Sequence, residues 1–370
     1  MKEKKIGRIL LLAAFLLIIC FLWGIWGLAK NYVDTENHEN RPLAQRPALS
    51  LADYAAFPAK FSDYFNDHLP FRNQLITLHT GIDYFCFHRS ANTRVIAGKG
   101  RWLFYDAPVD GDAIACYQGT NLYSPEELQA LAENCLRQRD FLQAQGKEFL
   151  ILIAPNKERV YSEYMPEQYG PPAIEYRALQ VYQYLREHTD LRVVYPYGEI
   201  MTARQKLPQN LYYRTDTHWN ALGAYIAARA LGKELGIDLP EITSEEISIS
   251  QKGPWAGDLA QMLNLGRLLQ GYDEEYILTG YEDHQMETLR WTETEDDAFR
   301  ATGADARKLF VLRDSFAKAM APYLASQFSE SYFIHKDIFS AEDLAAQDPD
   351  IVVYETVERY LDGLRTFSLQ

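Results

Sequence analysis

The chain has 370 residues, of which 47% are hydrophobic and 13% aromatic. It is therefore neither disordered nor repetitive, and it can bury the core of one large domain with an appendage. Its formal net charge of −14 argues against a nucleic-acid partner, because binding phosphates depends on a basic surface.

Cysteine use argues against metal and redox chemistry, since the sequence has no C-x-x-C spacing. Cys20 lies in an apolar segment, and the other three are Cys86, Cys116 and Cys135. Either one disulfide among these three or a set of buried thiols fits the sequence. We predict no metal site and no cofactor.

The amino-terminal segment predicts a membrane anchor. Residues 6–29 are apolar except for Arg8, and a span of about 20 apolar residues matches the hydrocarbon thickness of a bilayer. Basic residues crowd its amino-terminal side, namely Lys2, Lys4, Lys5 and Arg8. This flank predicts a cytoplasmic tip, so residues 1–30 would form a single-pass anchor in the cell membrane with the rest extracytoplasmic. A cleaved signal peptide is the alternative, but its apolar core is usually only about 7–15 residues long.

Residues 31–95 are predicted to connect this anchor to the main domain. The first part, 31–50, is polar with two prolines and is typical of a juxtamembrane connector. Residues 51–80 carry apolar and aromatic side chains at helical spacing. We expect this second part to form a helical collar that packs on the main body.

Residues 96–370 alternate between strand and helix patterns. Residues 96–105 predict a glycine turn followed by a strand, and Ser124 and Pro125 predict the N-cap and first residue of a helix that runs to about residue 145. Further strands are predicted at 148–154, 191–195, 308–313, 331–335 and 350–354, and further helices at about 172–187, 219–235 and 316–329. This order predicts a three-layer α/β/α domain with a mostly parallel sheet.

Residues 240–305 interrupt that alternation. They contain short strand-like pieces, such as 276–279, and a run of acidic residues, namely Glu282, Asp283, Glu293, Glu295, Asp296 and Asp297. We expect an antiparallel insertion or a large loop, with the acids on a solvated face.

Asp216 and His218 stand two residues apart, just before a predicted helix. In a bend, this spacing can bring the carboxylate against one imidazole nitrogen, which fixes the tautomer and stabilises the imidazolium when the other nitrogen takes a proton. The positive end of the helix opposes protonation and helps to keep the base neutral. The alternative is an N-cap carboxylate beside an incidental histidine.

Ser315 follows the predicted buried strand at 308–313 and opens a predicted helix. A serine at such a turn has its hydroxyl above the carboxyl edge of the sheet, where helix-start amides can bind an oxyanion. The alternative is an N-cap serine. Pro322 predicts that the helix kinks or restarts there. With Asp216 and His218, Ser315 would complete a set of acid, base and nucleophile.

An ordered series of short motifs runs through most of the chain after the apolar segment. The motifs lie at 39–42, 67–72, 100–104, 155–157, 161–166, 215–220, 257–259, 313–316 and 355–359. By these motifs the chain resembles the SGNH-hydrolase-like proteins of polysaccharide O-acetylation, the alginate O-acetyltransferase family and its DHHW relatives.

The resemblance implies an SGNH-like fold in which Ser315 is the nucleophile, His218 the general base and Asp216 its orienting acid. The acid and base precede the serine, which resembles the circularly permuted arrangement of the alginate acetylation proteins. The family's G-D-S-x block reads Arg313-Asp314-Ser315-Phe316 here. Arg313 stands where glycine is usual, and it would add positive charge near the oxyanion.

Further candidates for binding substrate or the oxyanion are Arg313, Asn156, Lys157, Trp219, Glu355 and Arg359. Asn156 and Lys157 follow the first core strand, so they should lie at the carboxyl edge of the sheet. Trp219, like Trp255, could stack on sugar faces, although core packing is the default for an aromatic side chain. Glu355 and Arg359 have an i, i+4 spacing that favours a helix-surface or structural salt bridge over direct catalysis.

The function that these observations predict is transfer of an acetyl group, through an acyl-serine, onto a hydroxyl of a cell-surface or exported polysaccharide. The resemblance implies a multispanning membrane O-acyltransferase as the acetyl donor, because acetyl-coenzyme A is cytoplasmic. Two alternatives stay open. One is a carbohydrate acetyl esterase that uses the same residues with water, and the other is a non-catalytic polysaccharide-binding or scaffold component of an export complex.

Overall fold

The computed structural model describes residues 12, 15, 17, 21, 23–33, 42–49, 54–249, 255–281, 287–291, 296–301 and 305–370. The predicted anchor at 6–29 lies mainly outside these residues and stays a prediction. No helix among the described residues is long and apolar enough to cross a membrane.

The chain divides into two compact units, residues 1–91 with 261–268, and residues 92–260 with 269–370. The first unit contains helices α1 (Phe57–Asp67) and α2 (Arg72–Phe87). These confirm the helical prediction for this region, but as two helices separated at Phe71, whose φ of 57° is left-handed. The packing of this collar on the main body stays a prediction.

The second unit is built on a seven-stranded mixed sheet of order β4-β3-β11-β9-β10-β8-β7. Its strands are β3 (Glu148–Ala154), β4 (Arg192–Val194), β7 (Glu287–Trp291), β8 (Asp296–Arg300), β9 (Asp305–Arg313), β10 (Phe328–His335) and β11 (Ile351–Val357). The five strands from β4 to β10 are parallel, whereas β8 and β7 run antiparallel at one edge. The predicted mostly parallel sheet is confirmed, with an antiparallel extension.

Helices cover both faces of the sheet. The helices after residue 105 in the described part of the chain are α3 (Ala113–Gln118), α4 (Pro125–Gln143), α5 (Lys157–Val160), α6 (Arg177–His188), α7 (Tyr197–Lys206), α8 (Ala221–Glu234), α9 (Asp258–Met262), α10 (Ala321–Ala325) and α11 (Ala341–Gln347). Alternate residues of β3 enter two separate cores, Leu150 on the face covered by α8 and Ile151 on the face covered by α4. This division explains why the central strands are apolar runs without alternation, and it confirms the three layers.

Local signals fixed several element boundaries. Ser124 and Glu127 form a capping box at the start of α4, as the sequence predicts for Ser124. The predicted helix at 316–329 is too long, because a 3-10 helix (Phe316–Met320) is followed by α10 and β10 already begins at Phe328. Pro322 lies in the first turn of α10, so the predicted restart is confirmed.

The predicted glycine turn and following strand at 96–105 are confirmed by the turn at Lys99–Arg101 and β2 (Leu103–Tyr105), and β1 (Val95–Ala97) pairs antiparallel with β2 to complete a hairpin. Within the predicted insertion, β5 (Ile247–Ile249) pairs antiparallel with β6 (Tyr276–Leu278), which confirms a strand at that place. Several acids of the predicted solvated run lie outside the described residues, namely Glu282, Asp283, Glu293 and Glu295. For Asp297 the prediction is wrong, because it is buried beside Arg313.

The three cysteines outside the apolar segment are free thiols, so the disulfide alternative is wrong. Cys116 and Cys135 are buried, and burial raises the pKa of each thiol to about 12. Cys86 is exposed on α2. Buried thiols are therefore confirmed for two of the three positions.

Candidate functional site

The structure brings Asp216, His218 and Ser315 together. His218 Nδ1 lies 2.6 Å from Asp216 Oδ1, and His218 Nε2 lies 2.7 Å from Ser315 Oγ. Asp216 also accepts a hydrogen bond from the main-chain amide of His218 at 2.9 Å, so the same carboxylate orients both the ring and its backbone. This arrangement can accept the proton of the serine at one imidazole nitrogen while the other stays bound to the acid.

Both N-cap alternatives are wrong. The N-cap of α8 is Asn220, whose side chain accepts from the amides of Leu222 and Gly223, so Asp216 does not cap this helix. Ser315 precedes a 3-10 helix without making a capping hydrogen bond, and it is exposed. Its hydroxyl is therefore available to His218 and to solvent.

The loop that carries Asp216 and His218 is closed by local pairing. Tyr212 and Trp219 form an antiparallel bridge, and the amide of Tyr213 donates to the carbonyl of His218 at 3.2 Å. The turn between these residues brings the Asp216 carboxylate to the His218 ring. The two-residue spacing of Asp216 and His218 therefore brings their side chains together because both lie in a tight loop before α8.

Asp314 fixes the turn that presents Ser315. Its carboxylate accepts from the amide of Phe316 at 2.9 Å and from the amide of Val357 at 2.7 Å. Burial opposes ionisation of this carboxyl, but the charge of Lys336 and these main-chain donors lower its pKa. Asp314 therefore ties the serine turn to the end of β11.

Glu355 lies under the same turn, and the predicted salt bridge with Arg359, whether on a helix surface or structural, is wrong. It belongs to β11, where it is fully buried and accepts from the amide of Asp314 at 2.9 Å. Burial and the charge of Asp314 raise its pKa well above the ordinary value. A strand residue pairs across the sheet and has no i, i+4 helical partner, which is why the spacing argument failed.

Arg359 and Asn156 lie together behind the serine turn. Arg359 Nη1 lies 3.5 Å from Asn156 Oδ1, and the guanidinium lies 5.4 Å from the Phe316 ring centre. Asn156 Nδ2 is buried without a hydrogen-bond partner among the described residues. It is an amide donor at the carboxyl end of β3, as the sequence predicts for its position, and its binding role stays a prediction.

Three other candidates are buried, and their polar groups are bound within the protein. Trp219 is 1% exposed, and its indole donates to the carbonyl of Phe316 at 2.9 Å, so the sugar-stacking prediction for it is wrong. Arg313 is 0% exposed and lies 3.6 Å from Asp297, where its charge is paired within the sheet. Lys157 is 1% exposed and donates to main-chain oxygens of the Asp216 loop. Trp255 is half-buried against Tyr213, and its stacking role stays a prediction.

Asp258 is a second carboxylate at the histidine, and the sequence assigned it no role. Its main-chain amide donates to Asp216 Oδ2 at 2.9 Å, and its Oδ2 lies 4.0 Å from His218 Nδ1. Its side chain accepts from the amide and hydroxyl of Thr217. The only signal for Asp258 was its place in the 257–259 motif.

Asp216, His218 and Asp258 offer atoms that could bind a metal ion, and these atoms lie within 4.8 Å of one another. Each carboxylate oxygen, however, already accepts a hydrogen bond within the protein.

The two carboxylates set the protonation of the histidine. Burial favours the neutral ring, but the hydrogen bond and charge of Asp216 and the charge of Asp258 outweigh it, so the pKa of His218 is raised. Burial opposes ionisation of Asp216 as well, yet the hydrogen bond and charge of His218 and nearby amides lower its pKa to about 2. Burial and the charge of Asp216 raise the pKa of Asp258. The structure thus favours an ionised Asp216 and a strengthened base.

Comparison with known proteins places this chain in a family. Residues 95–310, more than half of the chain, match the model of the SGNH hydrolase-like domain of acetyltransferase AlgX. The chain belongs to this family. The matched range contains Asp216 and His218 and ends before Ser315.

Curated relatives include proteins named probable alginate O-acetylase AlgJ. That of Pseudomonas putida is 30% identical over 217 residues, which are 57% of this chain and 51% of the relative. That of Azotobacter vinelandii is 26% identical over 358 residues, which are 91% of this chain and 84% of the relative. The chain therefore spans about half the length of the Pseudomonas putida relative and most of the other.

A solved structure shares the fold. Bacillus cereus PatB1, determined with a sulfonyl adduct, has a TM-score of 0.52 and 15% sequence identity, and the match covers 74% of this chain and 99% of that chain. The comparison supports the α/β architecture described above.

Proposed function

We propose that this protein is an extracytoplasmic O-acetyltransferase that moves an acetyl group, through an acyl-serine at Ser315, onto a hydroxyl of a cell-surface or exported polysaccharide. The observation that carries the proposal is the 2.7 Å contact between His218 Nε2 and Ser315 Oγ, with Asp216 on the opposite ring nitrogen. Membership of the acetyltransferase family gives the class of reaction. The curated relatives named alginate O-acetylase support a polysaccharide acceptor.

In the first half-reaction, His218 accepts the proton of Ser315 as Oγ attacks the carbonyl carbon of the acetyl donor. The tetrahedral intermediate collapses, the bond to the leaving group breaks, and the imidazolium returns the proton to that group. In the second, His218 takes the proton of a sugar hydroxyl whose oxygen attacks the acyl-serine. Ser315 then regains its proton, and Asp216 holds one tautomer throughout.

The oxyanion would be stabilised by groups at the carboxyl edge of the sheet. Asn156 Nδ2 is the candidate side-chain donor, because it is buried and has no partner among the described residues. The guanidinium of Arg359, beside Asn156 and the Phe316 ring, supplies positive charge from the same side. Fixed donors in a partly buried site stabilise developing charge more strongly than water does.

The proposal also includes the location of the protein and the source of its acetyl groups. An apolar segment at 6–29 with a basic flank supports a single-pass anchor in the cell membrane. A multispanning membrane O-acyltransferase partner would bring the acetyl group across the bilayer. The two alternative functions, an acetyl esterase and a non-catalytic scaffold, are tested by the experiment that detects the acyl-serine.

The test is intact-protein mass spectrometry of the full chain after incubation with an activated acetyl ester, with and without an oligosaccharide. We expect an acetyl adduct on Ser315 that is absent in His218→Ala and is discharged onto the oligosaccharide. Release of acetate that no glycan changes would instead identify an esterase. Ester cleavage and glycan acetylation that persist in Ser315→Ala would leave the scaffold alternative.

The rate of Ser315 acetylation is expected to rise with pH and to reach a plateau. His218 accepts a proton only when neutral, and because its pKa is raised, the midpoint should lie above that of an ordinary histidine. Asp258→Asn removes one negative charge that favours the imidazolium, so the midpoint should move to lower pH. The measurement is the initial rate of adduct formation across pH. Asp190→Asn is the control, since Asp190 pairs with Arg139 elsewhere, and equal midpoints in all three proteins would contradict the prediction.

Gly257→Ala is expected to slow Ser315 acetylation by about 100-fold, because displacement of a catalytic group by about 1 Å has that effect. A Cβ at Gly257 would lie 2.3 Å from Asp216 Cβ and 2.6 Å from its Cα, so the acid must move. Gly198→Ala is the control, since a Cβ there has nothing within 4 Å. Equal rates for the two variants would show that the close approach of Gly257 does not matter to the acid.

A further inference from the structure

Lys157 is buried under the loop that carries Asp216. Its ammonium donates to three main-chain carbonyl oxygens of that loop, those of Asp216 at 2.6 Å, Tyr213 at 3.2 Å and Arg214 at 3.4 Å. The side chain is inaccessible to substrate, so the binding role predicted from its position at the end of β3 is wrong. Its three hydrogen bonds are instead all to residues 213–216.

This geometry favours the charged form of the lysine. An ammonium has three N–H donors, which match the three carbonyl acceptors, whereas a neutral amine would direct its lone pair at one of them. Burial lowers the pKa of Lys157, but nearby carboxylates favour the cation, namely Glu158, Asp258, Asp273 and Asp216. The faces of Phe104 and Trp102, at 5.2 and 5.8 Å, add further attraction for a cation.

Asp273 holds the same loop through its amides. Its carboxylate accepts from the amide of Arg214, and from the amide of Thr215 at 3.0 Å and its hydroxyl. The Thr215 hydroxyl in turn accepts from the amide of Gly257 at 2.9 Å. The amino group of Lys157 on the carbonyls and the carboxyl group of Asp273 on the amides thus hold the backbone that leads into Asp216.

We propose that Lys157 is a positioning residue that fixes the main chain of Asp216 and thereby aligns its carboxylate with His218 Nδ1. The inference rests on the proposed function, in which His218 is the base. Asp216 has its main-chain oxygen on Lys157 at 2.6 Å and its Oδ1 on the His218 ring at 2.6 Å. Release of the first contact therefore moves the residue that makes the second.

Lys157→Met and Lys157→Gln remove the charge, and Lys157→Arg restores a cation with several donors. Lys147→Met is a matched control. Lys147 lies just before β3 as Lys157 lies just after it, its side chain is also largely buried, and it donates to the main-chain oxygen of Pro349 at 3.0 Å. It differs in having no contact with the Asp216 loop.

Two measurements are made on each full-length variant that remains folded. The first is the NMR resonance of the His218 Nδ1 proton, which reports its hydrogen bond to Asp216 without any substrate. The second is the rate of Ser315 acetylation per folded molecule. We expect Lys157→Met to shift or lose the resonance and to slow acetylation by about 100-fold, Lys157→Arg to recover part of both, and Lys147→Met to change neither.

A wild-type resonance and rate in Lys157→Met would overturn the inference. If that variant does not fold, Lys157→Gln decides. Its neutral amide has two N–H donors for three carbonyl oxygens, so the inference predicts a partial shift of the resonance and a reduced rate, and wild-type values there would overturn it. The proposed function fails separately: wild-type protein would show no adduct on Ser315, while the resonance would still respond to Lys157.

Discussion

Ser315→Ala is expected to abolish the acetyl adduct and to reduce donor cleavage by about 10⁶-fold, the size of loss found when a serine nucleophile is removed from an enzyme of this type. The Ser315 hydroxyl is exposed and lies 2.7 Å from His218 Nε2, so no other described group takes its place at the base. The measurement is the rate of ester cleavage together with intact-protein mass. Cleavage within tenfold of wild type would show that the chemistry occurs elsewhere.

The free energy of unfolding distinguishes a serine that acts as a nucleophile from a serine that caps a helix. Ser315→Ala should leave the free energy of unfolding nearly unchanged, because its side chain makes no capping hydrogen bond. Ser124 is the matched control, since its hydroxyl accepts a hydrogen bond from the amide of Glu127 at 3.2 Å at the start of α4. Ser124→Ala should cost about 1 kcal/mol and leave acetylation unchanged. The two alanine variants are thus expected to have opposite effects on stability and on activity.

The sequence predicts the scaffold of this site well because its signals are local. The uninterrupted apolar run at 148–154 predicts β3, and it follows from burial on both faces of the sheet. Ser124 predicts the start of α4 through a capping box that closes within one turn. Ser315 follows β9 as the apolar strand predicts, but His218 lies in the loop between α7 and α8, so its contact with Ser315 depends on the whole fold.

Burial of polar side chains was the part that sequence could not predict. Lys157 and Arg313 are polar residues at strand ends, which usually face solvent, and only the surrounding chain shows that each is enclosed. Asp258 reaches the histidine from the 240–305 insertion, a long-range contact that has no periodic signal. Trp219 turns inward because its indole donor finds the carbonyl of Phe316. In each case, tertiary contacts decided the role.

Asp216→Asn is expected to slow Ser315 acetylation by about 10⁴-fold, as loss of the carboxylate does in a Ser-His-Asp triad. Asp216 accepts three hydrogen bonds, from the Nδ1 and amide of His218 and from the amide of Asp258. Asparagine has one acceptor oxygen and one NH₂ group, so one of these donors must face another donor. If the NH₂ group faces Nδ1, the ring carries its proton on Nε2, and Nε2 can no longer accept from Ser315.

The same substitution should lower the pKa of His218, because the hydrogen bond and charge of Asp216 are what raise it against burial. An NMR titration of His218 measures this shift in the absence of substrate. A lower pKa leaves more of the histidine neutral at a given pH, so a loss of base strength alone would be largely offset near neutral pH. A large rate loss that persists on the plateau at high pH would therefore come from the tautomer and ring orientation. A wild-type rate on that plateau would show that Asp216 is needed neither for the strength of the base nor for its alignment, and that the 2.6 Å contact with Nδ1 does not contribute to the rate.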